Sequence, residues 1–407
     1  MSQADNLAAL GSNVNASGVL QPASGGTGVT TSTGTGSVVL SSGATLTNAT
    51  INGAVASGFT LKNRIINGDM VISQRGTSFS SLGSQTYTLD RWVCDRFGGA
   101  ATATVTQSST APTGFINSLL YTVGTGAATG ATDYSNARQY IEGLNVADLG
   151  WGTASAKTVT LSFWVRSSVT GTYGVAFTNN GYDRNYIASY TISSANTWEQ
   201  KTITIAGDTS GTWLTTNGTG IRVIWDLGVG STYSGAAGSW GSTYAIFGLT
   251  GGVKLTVTSG ATFYVTGVQL EQGSQATSFE WIPYGLEFDL CRRYCEVYSN
   301  PNLNYDQDGF PQAIQAVDVG GRGETLITYY PKRASPTITT LNNNLFWQNM
   351  ANTGSTCTFA GTYVGTGIIA APVFLTVSGA CAVGALSGVG SLIFTNVANK
   401  IIISAEL

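Results

Sequence analysis

Between Thr158 and Arg166 the chain alternates strictly, with Val159, Leu161, Phe163 and Val165 on one side and Thr160, Ser162, Trp164 and Arg166 on the other. A period of two marks a strand with one face in a core and the other toward water. The rhythm recurs in Ile203 and Ile205 among threonines, and in Ile221, Val223 and Trp225 against Arg222 and Asp226. It returns in Val253, Leu255 and Val257 and again in Phe263 and Val265. Asn180-Gly181, Gly207-Asp208 and Asn217-Gly218 separate these runs with residues that tolerate positive φ. The spacing predicts one antiparallel β-sandwich over residues 61–285. Trp225 shares its face with Ile221 and Val223 and is assigned to the core.

One helix interrupts the β pattern. Leu286, Leu290, Tyr294 and Tyr298 recur every fourth residue and predict a helix from Leu286 to Tyr298, stopped by Pro301. After Arg333 short β signals return and only Lys400 and Glu406 carry charge, which describes a small C-terminal β domain within residues 286–407. A surface so poor in charge self-associates, so this region is expected to pack against identical copies of itself. Residues 1–60 form a third kind of region. From Gly11 to Thr60 the chain is almost wholly Gly, Ser, Thr, Ala, Asn and Val, with no charge between Asp5 and Lys62. Such a segment builds no core alone; it is a flexible linker or is ordered by pairing with copies of itself. Its glycine-rich run Ser24–Gly36 lacks the Lys and following helix of a phosphate loop.

Composition narrows the chemistry. Charged residues are 10% of the 407, against roughly a quarter in ordinary soluble domains, and the net charge is -3. No basic field exists to attract a phosphate backbone, so nucleic acid is not an expected partner. Histidine is absent. Ser-His and Cys-His catalytic arrangements and His-ligated metal sites fall away with it. The five cysteines, Cys94, Cys291, Cys295, Cys357 and Cys381, form no CxxC pair and read as buried free thiols. No cofactor is indicated. Neither a signal peptide nor an apolar run near the roughly 20 residues of a membrane span occurs, so no membrane insertion is expected.

Four stretches make the chain resemble the tail-fiber and related fiber proteins of tailed bacteriophages. Pro22–Leu40 is similar to their Gly-Gly-Thr-Gly connector. Asn63–Met70, Ser73–Gly76 and Tyr87–Trp92 resemble the opening of their carbohydrate-binding-module-like jelly roll. Val268–Glu280 with Tyr284-Gly285 and Cys291–Tyr294 resembles its exit, the most specific of the four, and Arg333–Thr337 with Ser404–Leu407 matches the end. The resemblance implies an all-β homotrimer with an extended N-terminal connector, joined to other virion proteins through its N-terminus. Its distal β domains would bind a host-surface glycan or another receptor without catalysis. Only Met1–Gln21 precedes the connector, so mounting on the tail and mounting on the capsid as a head fiber both stay open.

A glycan site needs flat aromatic faces beside hydrogen-bonding side chains. Tyr182, Asp183, Arg184 and Tyr186, in the densest polar-aromatic loop, are the first candidates, although a loop held together by ion pairs around Asp183 and Arg184 gives the same pattern. Trp164 lies on the polar face of its strand and is a further candidate. Trp213 and Trp240, beside small residues in predicted loops, complete the set. Asn304, Asp306 and Asp308 with Gly309 match the first half of a calcium loop, but Gln315 stands where a bidentate Glu would close it, and an ordinary Asp-Gly turn is the preferred reading. A tailspike-like depolymerase would need two carboxylates about 5 to 9 Å apart. Asp183, Asp208, Asp226, Glu271 and Glu280 are available, with Glu271 and Glu280 read as structural members of the exit stretch. Asp90, Arg91 and Arg96 read as an internal charge network.

Overall fold

The computed structural model describes residues 61–80, 82–299, 314–316, 322–341, 344–349, 354–364, 370–378, 389–394 and 400–407. Residues 1–60 and the calcium candidates Asn304, Asp306 and Asp308 lie outside the described residues. The predicted alternation is realised as strands: β1 (Ser78–Phe79), β2 (Thr86–Tyr87), β3 (Trp92–Phe97), β4 (Ala103–Ser108), β5 (Ser118–Val123), β6 (Tyr134–Glu142), β7 (Val159–Ser167) and β8 (Gly171–Thr178). They continue as β9 (Asn185–Ile192), β10 (Glu199–Ile205), β11 (Thr219–Asp226), β12 (Ser234–Gly235), β13 (Trp240–Gly241), β14 (Gly248–Leu249) and β15 (Thr262–Gln272).

Two sheets face each other, six-stranded in the order β1-β4-β5-β15-β7-β10 and seven-stranded in the order β13-β9-β8-β11-β6-β3-β2. The chain is thus an all-β antiparallel sandwich. Leu161, Phe163 and Val165 of β7 meet Ile221, Val223 and Trp225 of β11 in one core, and all six are at most 1% exposed. Trp225 packs its ring 5.5 Å from Trp92 and 5.6 Å from Phe163. Val253, Leu255 and Val257 do not form a strand. Residues Leu255–Val257 make a single 3₁₀ turn, because the backbone N–H groups here close back on the residues three before them.

The helix α1 spans Tyr284–Arg292 and stops earlier than its fourfold repeat predicts. Cys295–Ser299 instead form β16, paired with β24 (Lys400–Ser404), which also pairs with β19 (Thr337–Leu341). Ladder bonds to the isoleucine-rich Lys400–Ser404 satisfy this stretch better than another helical turn, so the i,i+4 spacing of Tyr294 and Tyr298 joins two different elements. The remaining strands, β17 (Ile314–Ala316), β18 (Arg322–Thr328), β20 (Asn344–Asn349), β21 (Gly354–Val364), β22 (Ala370–Ser378) and β23 (Val389–Phe394), close a six-stranded barrel.

The opening and exit stretches are sewn together by buried hydrogen bonds. Asn63 Oδ1 accepts from the N–H groups of Ile65 and Leu270, both at 3.0 Å, while its amide donates to the Val268 carbonyl. Asn67 donates to the carbonyls of Ile72 and Asp90 and accepts from Ile72 N–H, and Trp92 Nε1 donates to the Asn67 carbonyl. Glu271 accepts from Gln269 and from Thr277, and Glu280 accepts from Asn63 N–H. Both glutamates therefore hold the exit in place. The chain end returns here too: Glu406 pairs with the buried Arg91 and with Arg75, and Tyr87 donates to the Leu407 carbonyl. Glu142 collects Arg293 and the Tyr294 hydroxyl; burial raises its pKa, but these partners more than offset that and hold it below the usual range. Cys94, Cys291 and Cys295 are free and buried, and burial pushes the Cys94 thiol up to about 12.

Candidate functional site

The candidate loop divides between two environments. Tyr182, at φ 56°, turns its ring under the Arg222 guanidinium at 3.9 Å and accepts a hydrogen bond from Arg138. It therefore packs on the outer face of the seven-stranded sheet. That face is closed over by Val229, Phe247 and Leu249, which rest on Ala176, Ile187 and Ile224. Arg138 reaches the fully buried Asp95, and Arg222 donates to the Asn179 carbonyl. Asp183 accepts from Asn179 at 2.6 Å. Arg184 forks onto Asp208 at 2.6 and 2.7 Å rather than onto its neighbour Asp183.

Tyr186, Trp213 and Trp240 do converge, around Trp151. Ring centroids lie 4.8 Å apart for Trp151 and Trp213, 5.3 Å for Trp151 and Trp240, and 5.3 Å for Tyr186 and Trp240. Each indole N–H is bound to a loop carbonyl, Trp151 to Lys157, Trp213 to Ser210 and Trp240 to Ala206. The quartet is a clasp that ties three loops to the end of the sandwich. Of the candidate carboxylates, Asp208 is held by Arg184, and Asp226 accepts the backbone N–H groups of Gly228, Val229 and Leu249.

Trp164 sits in a different setting. On the outer face of the six-stranded sheet, β7 and β15 pair Trp164 with Thr266 and Arg166 with Tyr264, and β10 sets Gln200 opposite Trp164. All of these except the buried Thr266 keep solvent exposure. Arg166 lies 4.9 Å over the Tyr264 ring, and Trp198 meets the same ring edge-on at 5.9 Å. A bulge in β15 between Thr266 and Gln269 lets Gly267 adopt φ 59°. A Cβ there would stand 2.6 Å from the Phe115 ring and 3.0 Å from Trp164, so only glycine lets these two rings approach. Phe115 in turn packs with Phe279 and Trp281, all centroids within 5.2 Å. The result is a track of aromatic rings from Trp198 to Trp281. Sequence reasoning found only Trp164 of this track. Tyr264 was open to the same argument, since it alternates with Phe263 and Val265.

The track ends at a cleft of about 290 Å³ that shares Phe279 with it. Ile116, Ile282 and Tyr284 form apolar walls, and Asp69, Glu280 and Glu287 supply carboxylates. Glu287, on α1, accepts from Asn67 N–H through Oε1, while Oε2 has no hydrogen-bond partner. Burial, with the charges of Asp69 and Glu280 adding to it, pushes its pKa up to about 7 although the Asn67 N–H pulls it down. Burial raises Asp69 as well.

No family model matches the chain, and no curated protein sequence does. Solved structures similar to it include the enzymatically active domain of tailspike protein 4 of bacteriophage CBA120, at 13% identity and TM-score 0.29 over 52% of this chain and 22% of that one. Another is a family 11 carbohydrate-binding module from Clostridium thermocellum in complex with a β-1,3-1,4-mixed-linked tetrasaccharide, at 13% identity and TM-score 0.27 over 49% and 98%. A third is the N-terminal cellulose-binding domain of β-1,4-glucanase C from Cellulomonas fimi, at 14% identity and TM-score 0.23 over 49% and 97%.

Proposed function

We propose that this chain is a bacteriophage fiber protein, mounted on the tail, that attaches the virion to its host by non-catalytic recognition of a surface glycan. The observation that carries the reading is the open sheet face on which Trp164, Tyr264 and Trp198 stand beside Arg166 and Gln200. Aromatic rings shed water at little cost and stack on the C–H faces of sugars, while Arg and Gln hydrogen-bond the hydroxyls at the rim. The fiber assignment is supported by the opening and exit stretches, whose resemblance to phage fibers covers residues that knit the sandwich closed. The scarcity of charge in residues 1–60 and 334–407 supports a homotrimer in the virion, because surfaces so poor in charge self-associate.

Labelled protein stains susceptible cells, and Trp164→Ala with Tyr264→Ala abolishes the staining while the variant, with a somewhat lower melting temperature, stays folded; staining that survives overturns the track as the site. Sedimentation as a stable monomer at micromolar concentration overturns the trimer. New reducing ends after incubation with host capsular polysaccharide overturn the non-catalytic reading. Imaging the fiber on intact particles decides tail against capsid.

A further inference from the structure

The cleft at the end of the track holds three carboxylates and, among the described residues, no counter-ion paired with them. Glu287 lines the cleft but is only 5% exposed, and its buried Oε2 has no hydrogen-bond partner among the described residues. Neither it nor Asp69 nor Glu280 belongs to any ion pair among the described residues. Lys62, whose neighbour Asn63 donates its backbone N–H to Glu280, gives its ammonium to Thr277 and the Ser278 carbonyl. A buried carboxylate beside two others calls for a positive charge to make ionisation favourable. A bound metal ion fits poorly, since no group of three His, Cys, Asp or Glu among the described residues has the arrangement to hold one. The rest of the wall is apolar, with the Phe279 and Tyr284 rings beside the carboxylates. The volume, about 290 Å³, suits a single pyranose unit rather than an oligosaccharide.

We propose that the cleft binds an amino-sugar unit carrying a free ammonium group. The ammonium sits among the carboxylates of Glu287, Asp69 and Glu280, and the C–H face of the ring lies against Phe279 and Tyr284. The inference rests on the glycan reading and names the chemistry at one end of the track. Glu287 faces Asp69 from the Asn67–Met70 turn, Glu280 from the exit stretch and the Asn67 N–H; along α1 its titratable neighbours are Tyr284, Asp289, which pairs with Arg292, and Cys291, which burial keeps as a thiol. Acid therefore weakens the site by protonating Glu287.

The test is calorimetric titration of the full chain with the β-1,4-linked trisaccharide of glucosamine and with its fully N-acetylated counterpart. At pH 7 the free amine form binds at least tenfold tighter than the acetylated form, and its affinity falls several-fold by pH 5. Glu287→Gln removes both the tenfold preference and the pH dependence. The variant stays folded for a stated reason: the folded state holds the Glu287 proton more tightly than the unfolded one, so stability falls as pH rises from about 4.5 to about 7, and the amide removes that fall. Its melting temperature at pH 8 is equal to or above that of the parent. Equal affinity for both trisaccharides, an unchanged Glu287→Gln, or equal competition by lysine amide each overturns the proposal. If these fail while the protein still stains cells through Trp164, the cleft assignment falls and the glycan reading stands; if amine binding holds while staining is absent, the reverse is true.

Discussion

The two outer faces of the sandwich carry the same side-chain types and use them oppositely. On the seven-stranded face Arg222 stacks on Tyr182 at 3.9 Å, and on the six-stranded face Arg166 stacks on Tyr264 at 4.9 Å. The first pair packs against Phe247 and its neighbours, with Arg222, Arg138 and Tyr140 buried and Tyr182 half-buried. In the second, both Arg166 and Tyr264 are half-exposed. A buried arginine must find its partners inside the protein, whereas an exposed one keeps hydrogen-bonding capacity for a ligand. Residue type alone therefore does not separate a structural cluster from a binding surface; coverage does.

The largest expected effect lies on the covered face. Arg138→Ala leaves Asp95, which is fully buried, without its ion pair, and removing one member of a buried pair costs about 3–5 kcal/mol. Burial already raises the Asp95 pKa against the pull of Arg138, so without that arginine the carboxyl takes up a proton more readily, and the loss is smaller in acid than at neutral pH. Urea denaturation at two pH values checks both statements. A loss below about 1 kcal/mol would erase the distinction between the faces. Next comes the tryptophan clasp: Trp240→Ala opens the contact with Trp151, Trp213 and Tyr186 and frees the Ala206 carbonyl, and it is expected to destabilise by about 3 kcal/mol. If the same variant melts normally but no longer stains cells, the clasp is a binding site after all.

Much of this was legible in the chain. Period-two alternation located the strands and put Trp225 in the core and Trp164 outside it, because local pattern fixes which way a strand side chain points. What alternation does not encode is coverage, which comes from residues 227–249 folding over one sheet while Trp164, Arg166 and Tyr264 on the other stay half-exposed. Tyr182 and Trp164 therefore looked equivalent. Nor does sequence show convergence over long separations: Asn67 meets Glu287 across 220 positions, and only the closed fold gathers Asp69, Glu280 and Glu287 around one cleft. The helix boundary was misplaced for a similar reason, since β16 exists only because Lys400–Ser404 returns to pair with it.

Tyr182→Phe sharpens the comparison with a smaller change. It keeps the ring under Arg222 and removes only the hydroxyl that accepts from Arg138, so about 1 kcal/mol of stability is lost and cell staining is unchanged. Staining lost at normal stability would move the receptor site to the covered face.

Arg166→Ala is the mildest change to the fold and the most informative about the open face. Among the described residues Arg166 makes one hydrogen bond, from Nε to the Asn196 carbonyl at 2.9 Å, and a half-exposed stacking contact on Tyr264. An exposed cation–π contact contributes about 0.5–1 kcal/mol, so the melting curve shifts little. Binding responds differently if the guanidinium addresses a ligand lying along Trp164 and Tyr264. Affinity for host cells then falls about tenfold, the equivalent of about 1.4 kcal/mol. Arg166→Lys restores the charge without the planar fork that stacks on Tyr264, and it recovers only part of the affinity if stacking geometry matters. Full recovery by Lys would reduce the role of Arg166 to charge alone, and no loss with Ala would leave the aromatic rings to act without it.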